Sequence, residues 1–414
     1  MGNFAPKSVK QLLISQFLPG FIFLWTSLLI NAVQLLLIPL RWIGYVDLQR
    51  TINGKLTYLH WILVPAYAQW WADISVNLYV RTRDLKYLGK EKAVVILNHK
   101  SQLDWITLWT VGNSFGVMEN IKALAKQSLL FAPVIGPAFW LNEYILLKRN
   151  FSSDKDTLSN SVKNYSAFQY NFWLILFCEG TRFTPEKHKL STEFARQKGL
   201  KPLKHHLMPR TKGFVSVVSG LRKAVPAIYD MSVCFGGNKN PTLSDLLKGI
   251  SIRADVYLRR IPMEEVPEDS EKCSEFVHTT YQEKDDLCEY YAQNDKFPTT
   301  DKSGSDEVLV KQITRTSRAL FFMIVWTAVF AAPGLYLTLK IVFGGSVIMY
   351  VVTLTTIALF FLLYWLMIGL GTAQSTYSFM NVVSLDEQTL KRNVPLMFAS
   401  KVLGTISALP TLLL

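Results

Sequence analysis

Asn98-His99-Lys100-Ser101-Gln102-Leu103-Asp104 places an imidazole and a carboxylate five positions apart. The stretch follows an apolar run, Ala93-Val94-Val95-Ile96-Leu97, of the kind that forms a buried strand. A strand that stops at His99 presents a titratable ring at its carboxyl end, where ligands of open α/β sheets tend to sit. Five residues along one continuous helix would set the two side chains well apart. The pair therefore needs His99 at the strand end and Asp104 in the first turn of the next helix. In that arrangement the carboxylate holds one ring nitrogen and leaves the other free as a general base. Taken alone, the same residues also describe an ordinary capped turn.

A second strand end carries complementary chemistry. Phe177-Cys178-Glu179-Gly180-Thr181-Arg182 closes the apolar run 172–177. The glycine permits close backbone approach to an anion, and the guanidinium suits bidentate recognition of phosphate. Such a tetrapeptide is common, so its weight comes from ending a strand as His99 does. Between the two lies a third candidate region, residues 126–149. Lys126 precedes an apolar run containing Pro133, Gly136 and Pro137, and Lys148-Arg149 closes it. This stretch reads either as plain core or as an apolar tunnel with a charged mouth, which a lipid chain with a polar head requires. Downstream, residues 182–212 hold nine Lys or Arg against Glu186 and Glu193. That run is either a solvated helical face or a surface that attracts anionic headgroups. It lacks the aromatic platform and the motifs of a nucleic-acid site, so no nucleic-acid partner is expected.

The elements that must position these residues follow from the pattern of apolar runs. Further strands are expected at 144–147, 172–177, 227–233 and 252–258, separated by helical stretches at 154–169, 186–198 and 270–294. Strands alternating with helices predict an α/β fold, a mixed sheet flanked by helices. Around this domain the chain turns apolar. Residues 11–40 hold no charge, enough to cross a bilayer and too long for the apolar part of a signal peptide. Asn31, Gln34 and two prolines also suit a helix that only lies in the membrane. The aromatic stretch 56–80 fits either the headgroup layer or an amphipathic helix on the core. Two more uncharged stretches, 319–339 and 341–385, predict a transmembrane hairpin turning near 343–346. The expected organisation is an N-terminal membrane anchor with interfacial helices over 1–80, an α/β domain over 81–295, a polar linker over 296–318, the hairpin over 319–371 and an apolar tail over 372–414.

The 414 residues are half hydrophobic and only 18% charged, below the ~25% of soluble domains. The net charge of +13 favours anionic partners, a phospholipid surface among them. Cys178, Cys234, Cys273 and Cys288 show neither metal spacing nor a disulfide framework and are expected as free thiols. Asn150-Phe151-Ser152 and Asn164-Tyr165-Ser166 are glycosylation sequons that matter only if the domain is lumenal. Flanking charges do not set an orientation.

With these blocks in hand, the chain resembles the glycerolipid acyltransferases. Asn98 to Asp104 matches their N-H-x-x-x-x-D block, and Glu179-Gly180-Thr181-Arg182 matches their E-G-T-R block. The stretch 203–214, Leu-Lys-His-His-Leu-Met-Pro-Arg-Thr-Lys-Gly-Phe, resembles the membrane-bound lysophosphatidic acid acyltransferases (1-acylglycerol-3-phosphate acyltransferases) of animals and plants. The resemblance spans roughly residues 10–295. It implies that His99 is the general base and Asp104 its orienting partner in acyl transfer from acyl-CoA to the sn-2 hydroxyl of lysophosphatidic acid. The product would be phosphatidic acid for phospholipid and triacylglycerol synthesis. It assigns glycerol-phosphate recognition to Glu179, Gly180, Thr181 and Arg182, and places Asn98, Lys126 and Arg149 with the substrate-binding residues. It implies acyl-CoA as co-substrate with no bound cofactor and no metal, and residence as a multi-pass protein of the endoplasmic reticulum membrane with the site at the cytosolic leaflet. The family often has Pro before E-G-T-R, where this chain has Cys178, and a Pro-rich fourth block, where residues 225–229 keep one. Acylation of another lysophospholipid (lysophosphatidylinositol, lysophosphatidylcholine, lysocardiolipin) and lipid binding without catalysis stay open at this level.

Overall fold

Side chains alternate along the strands, so a sheet covered on both faces needs apolar residues at odd and even positions alike. The run at 93–97 has this property. In the computed structural model, which describes residues 18–132, 135–300 and 306–344 with isolated positions 346, 347, 351 and 355, all five of its side chains are buried. Ala93, Val95 and Leu97 join one apolar cluster, and Val94 and Ile96 join a second on the opposite face.

The principal elements begin with α1 (Leu18–Leu36), α2 (Val46–Trp61), β1 (Ile74–Arg81), β2 (Ala93–Leu97) and α3 (Asp104–Ser114). Then come β3 (Ile121–Lys126), α4 (Ile135–Leu141), β4 (Ile145–Leu147), α5 (Phe151–Ser166), β5 (Trp173–Leu176), α6 (Pro185–Gln197) and α7 (Thr211–Leu221). The remainder is β6 (Ala227–Phe235), α8 (Leu243–Leu247), β7 (Ile252–Pro262), α9 (Ser270–Asn294), β8 (Val308–Ile313) and α10 (Ser317–Gly344). Eight strands form one mixed sheet in the order β4-β3-β5-β2-β6-β7-β1-β8. The five from β4 to β6 are mutually parallel, so their carboxyl ends share one edge. On one face Ile106, Leu108 and Val111 of α3 join the first cluster. On the other, Leu158 of α5, Val217 of α7 and Val277 of α9 join the second.

Three strands correct the sequence reading. β1 lies inside the stretch assigned to interfacial helices. Ile74, Val76, Leu78 and Val80 alternate toward the core, and helix ends at Trp71. β3, Ile-Lys-Ala-Leu-Ala-Lys, has no counterpart among the expected strands. β8 lies in the stretch read as a linker, where it pairs antiparallel with β1 and buries only its end residues, Val308 and Ile313. Of its four exposed central residues Lys311 and Gln312 are polar, while Leu309 and Val310 stay exposed at the sheet edge.

The N-terminal helix is not apolar on all sides. Thr26, Ser27, Asn31 and Gln34 are buried. The Gln34 amide donates to Thr57 Oγ1 at 3.2 Å and Asn142 Oδ1 at 3.3 Å, which docks α1 on α2 and on the turn before β4. Polar groups buried in this way need such partners. Leu28, Leu29, Leu35 and Leu36 point outward and stay exposed. Among the described residues one stretch, Pro19–Trp42, is long and apolar enough to cross a membrane. The second arm of the expected C-terminal hairpin and the 372–414 tail lie outside the described residues. Both sequon asparagines are engaged: Asn150 caps α5 by accepting from Ser152 N, and Asn164 Oδ1 accepts from Arg50.

Candidate active site

Because β2, β3, β4 and β5 are parallel, His99, Lys126, Arg149 and the 177–182 turn all emerge at one sheet edge. His99 follows β2 in a short turn, and α3 begins at Asp104. Asp104 folds back over that turn. Its Oδ2 accepts from Lys100 N and Ser101 N at 2.8 Å each and lies 3.2 Å from His99 Nδ1. Two backbone donors fix the oxygen, so the carboxylate holds Nδ1–H and leaves Nε2 with its lone pair. Asp104 is fully buried. Burial raises its pKa, opposed by the His99 hydrogen bond, the His99 charge and the two amides. The His99 side chain is 24% exposed and packs on Phe177, ring centroids 4.3 Å apart.

Glu179 and Asn98 work on the backbone. One Glu179 oxygen accepts from His99 N at 2.8 Å and the other from Leu207 N at 3.2 Å. With both oxygens committed and the residue 3% exposed, Glu179 positions the His99 strand end. Asn98 donates to Val233 O at 2.9 Å and accepts from Val233 N at 2.8 Å, which extends the β2–β6 ladder by one rung. It too faces the backbone. The resemblance places both residues with substrate recognition; in the structure both side chains bond backbone groups.

The cations gather beside this pair. Gly180 adopts φ +70°, and a Cβ there would lie 2.9 Å from Arg210 Cδ and Nε, so the guanidinium stem lies over the turn. Arg210 N donates to Cys178 O at 2.7 Å. Thr181 Oγ1 accepts from Lys187 Nζ at 2.8 Å, and Arg182 O accepts from the same nitrogen at 3.2 Å. Arg149 holds a left-handed φ of +68°, a costly conformation for a residue with a side chain and one that clusters at functional sites. Arg149 and Arg210 are exposed to solvent, and partial burial lowers both pKa values, with the Arg210 charge adding to the effect on Arg149. Burial lowers Arg182 as well, with the Asp104 charge acting the other way. Lys126 is lowered by burial and then by Arg149. Burial, and after it the charges of Arg182 and Arg149, bring Lys187 down to about 8.

Beyond burial, Arg210 lowers Arg149, Arg149 lowers Lys126 and Lys187, and Arg182 lowers Lys187, so these five cations gather beside the imidazole in an arrangement suited to a multiply charged anion. Among the described residues neither Arg182 nor Arg210 forms an ion pair. Lys187 sits in the first turn of α6, where the helix dipole disfavours a cation. Sequence reasoning missed Lys187 and Arg210 because both lie in a run of nine basic residues. Among the described residues no group of His, Cys, Asp and Glu is arranged to hold a metal ion.

Residues 78–235 match the family described as Acyltransferase, and residues 245–326 match Acyltransferase C-terminus. The human 1-acyl-sn-glycerol-3-phosphate acyltransferase gamma is 40% identical over 290 residues, 70% of this chain and 77% of its own length. The chain belongs to the 1-acyl-sn-glycerol-3-phosphate acyltransferase family. The delta enzyme of Mus musculus is likewise 40% identical, over 293 residues, 70% of this chain and 77% of that one. The crystal structure of the LPA acyltransferase PlsC from Thermotoga maritima aligns with 63% of this chain and 96% of its own at 14% identity. Its TM-score of 0.36 carries nothing for the site. Membership makes this chain an acyltransferase of phospholipid synthesis. Both family-matched stretches lie within the sheet domain and the elements just after it, and the first spans His99, Asp104 and the 179–182 turn.

Proposed function

We propose that this acyltransferase moves a fatty acyl group from acyl-CoA to the sn-2 hydroxyl of 1-acyl-glycerol-3-phosphate, forming phosphatidic acid. The observation that carries the reading is the shared sheet edge, which sets the His99–Asp104 pair beside a cluster of cations, two of which, Arg182 and Arg210, form no ion pair among the described residues. A hydroxyl is a weak nucleophile at neutral pH and needs a base within hydrogen-bond reach. His99 Nε2 takes the hydroxyl proton while the oxygen attacks the thioester carbonyl. Asp104 stabilises the imidazolium that forms. The C–S bond then breaks, and the proton passes from His99 to the departing thiolate of coenzyme A. Acyl-CoA acts as co-substrate, and no bound cofactor enters.

In this reading Arg182, Arg210, Lys187, Arg149 and Lys126 hold the acceptor's phosphate, and a charge-assisted bond to such a group contributes about 1.5–3 kcal/mol. The apolar exterior of α1 supports a membrane role. Together with exposed Phe131 and Trp140 it lies on the side of α4, which packs on α1, and it suits contact with acyl chains near the groove. We place the protein in the endoplasmic reticulum membrane as a multi-pass protein, with the groove at the cytosolic leaflet. The test is the purified full chain with one acyl-CoA and a panel of lysolipids. The reading expects lysophosphatidate to be used best, and Arg182→Ala to weaken it selectively. Preference for a phosphodiester acceptor such as lysophosphatidylcholine would overturn it.

A further inference from the structure

On the far side of β2 from the cation groove, the same sheet edge holds a second cluster of reactive side chains. Cys234, near the end of β6, and Cys288, on α9, are both buried free thiols with Sγ atoms 3.4 Å apart. His206 Nε2 lies 3.8 Å from Cys288 Sγ, and its Nδ1 lies 3.0 Å from Asp285 Oδ1. Asp285 is itself fixed by the amides of Lys204 and His205 at 2.7 Å each. The thiols face a cavity of about 150 Å³ that Lys100, His205, Lys239 and Tyr291 also line. At about 30 Å³ per water molecule, that volume admits a small peroxide. The Cys234 hydrogen bond lowers the Cys288 pKa well below the ordinary thiol range; burial opposes this and the His206 charge adds to it. His206 stands at about 10: burial pulls it down, while the Cys288 charge and the Asp285 hydrogen bond hold it up.

We propose that Cys234 and Cys288 form a modification site, which a hydroperoxide converts to a disulfide beside the catalytic strand end. The Cys288 thiolate attacks one peroxide oxygen and the O–O bond breaks. The leaving hydroxide takes the His206 proton and departs as water. Sulfur is oxidised to the sulfenic acid and the peroxide is reduced. Cys234 Sγ then attacks the Cys288 sulfur, its proton leaves with the sulfenic oxygen as a second water, and the S–S bond forms. Two thiols and one hydrogen peroxide give one disulfide and two waters. Disulfides in a reducing compartment are mostly transient, catalytic or redox-sensing, and this pair has the adjacent cation that a responsive thiol requires. At Cys178 burial outweighs the charge of Lys284 and pushes the thiol up to about 12.

The site is mechanically joined to the candidate base. Cys234 follows Val233, whose N–H and C=O both bond the side chain of Asn98, and Asn98 precedes His99. Lys100, next after His99, lines the cavity. Closing 3.4 Å to a covalent bond draws the end of β6 toward α9 and pulls on that anchor.

The experiment treats the purified full chain with hydrogen peroxide, alkylates the remaining thiols in denaturant and maps them by mass spectrometry. The expected result is loss of two thiols, a reducible peptide linking Cys234 to Cys288, and intact Cys178 and Cys273. In His206→Asn the link forms about tenfold more slowly or less, because the thiolate fraction falls faster than its nucleophilicity rises. Four alkylated thiols, loss without that link, or an unchanged rate in His206→Asn overturns the proposal. A parallel assay follows acyl transfer, which should fall with the link, return on reduction and resist peroxide in Cys234→Ser. A link that leaves turnover unchanged overturns the coupling to His99. Only this last readout rests on the acyl-transfer reading, since a chain without acyl transfer still reports the link.

Discussion

Glu179→Gln separates a residue that positions the base from one that binds the acceptor. The carboxylate accepts from His99 N at 2.8 Å through one oxygen and from Leu207 N at 3.2 Å through the other. Glutamine keeps the shape and loses one acceptor, and whichever way the amide turns, an NH2 group faces a backbone N–H. The lost charge-assisted bond is worth about 1.5–3 kcal/mol. If it is expressed at the strand end, where His99 must meet the hydroxyl, roughly 1.4 kcal/mol per tenfold gives a kcat lowered ten- to a hundred-fold. Both oxygens bond backbone amides, so a purely positioning role predicts that KM for lysophosphatidate stays within about twofold. The assay is initial rate against lysophosphatidate concentration at saturating acyl-CoA, in mixed micelles. A KM raised tenfold at unchanged kcat would refute the positioning role and return Glu179 to the binding site.

Lys187, at about 8, is charged below that pH and neutral above it, so the groove loses a cation as pH rises through 8. The value of kcat/KM for lysophosphatidate, which reports the free enzyme, should fall between pH 7 and 9 in the wild type and stay flatter in Lys187→Arg; coincident profiles would sink this assignment. Gly180→Ala places a Cβ 2.9 Å from the Arg210 stem at a φ of +70°, so the protein should fold with about 1–2 kcal/mol less stability and a displaced guanidinium. KM for lysophosphatidate should then rise about tenfold, as in Arg210→Ala, with no further rise in the double variant, because the two changes share one contact. Additive effects would show that Gly180 acts independently of Arg210.

The readable part of this site is the local part. His99 and Asp104 lie within one turn, and their spacing already required the chain to bend between them; α3 does begin at Asp104. The central strands were visible as apolar runs because both faces of the sheet are covered. Glu179 was legible as a residue and not as a role, since its partners lie 80 and 28 positions away. Lys187 and Arg210 carry no local mark; only the fold turns them toward Gly180 and Thr181. β1 alternates as a strand should, but the aromatic run before it drew the segment toward the membrane interface. β8 is short, exposes Leu309, Val310, Lys311 and Gln312 at the sheet edge, and is flanked by the polar stretches 301–307 and 314–318, which give the segment the look of a linker. The stretch 11–40 is apolar in sequence, while the burial of Gln34 depends on tertiary partners in α2 and in the turn after α4, and Thr26 turns its hydroxyl back to Ile22 O within α1.

The central claim is that His99 is the base for acyl transfer, and one measurement addresses it directly. In His99→Ala, with the fold checked by thermal unfolding, single-turnover transfer from acyl-CoA is measured at saturating lysophosphatidate, alongside lysophosphatidate binding. General-base catalysis contributes about 10²–10⁴-fold, so the rate should fall by that factor while binding, held by the cation groove, stays near the wild-type level. A rate within threefold or so of wild type would contradict the account, because so small a loss is less than a positioned base supplies.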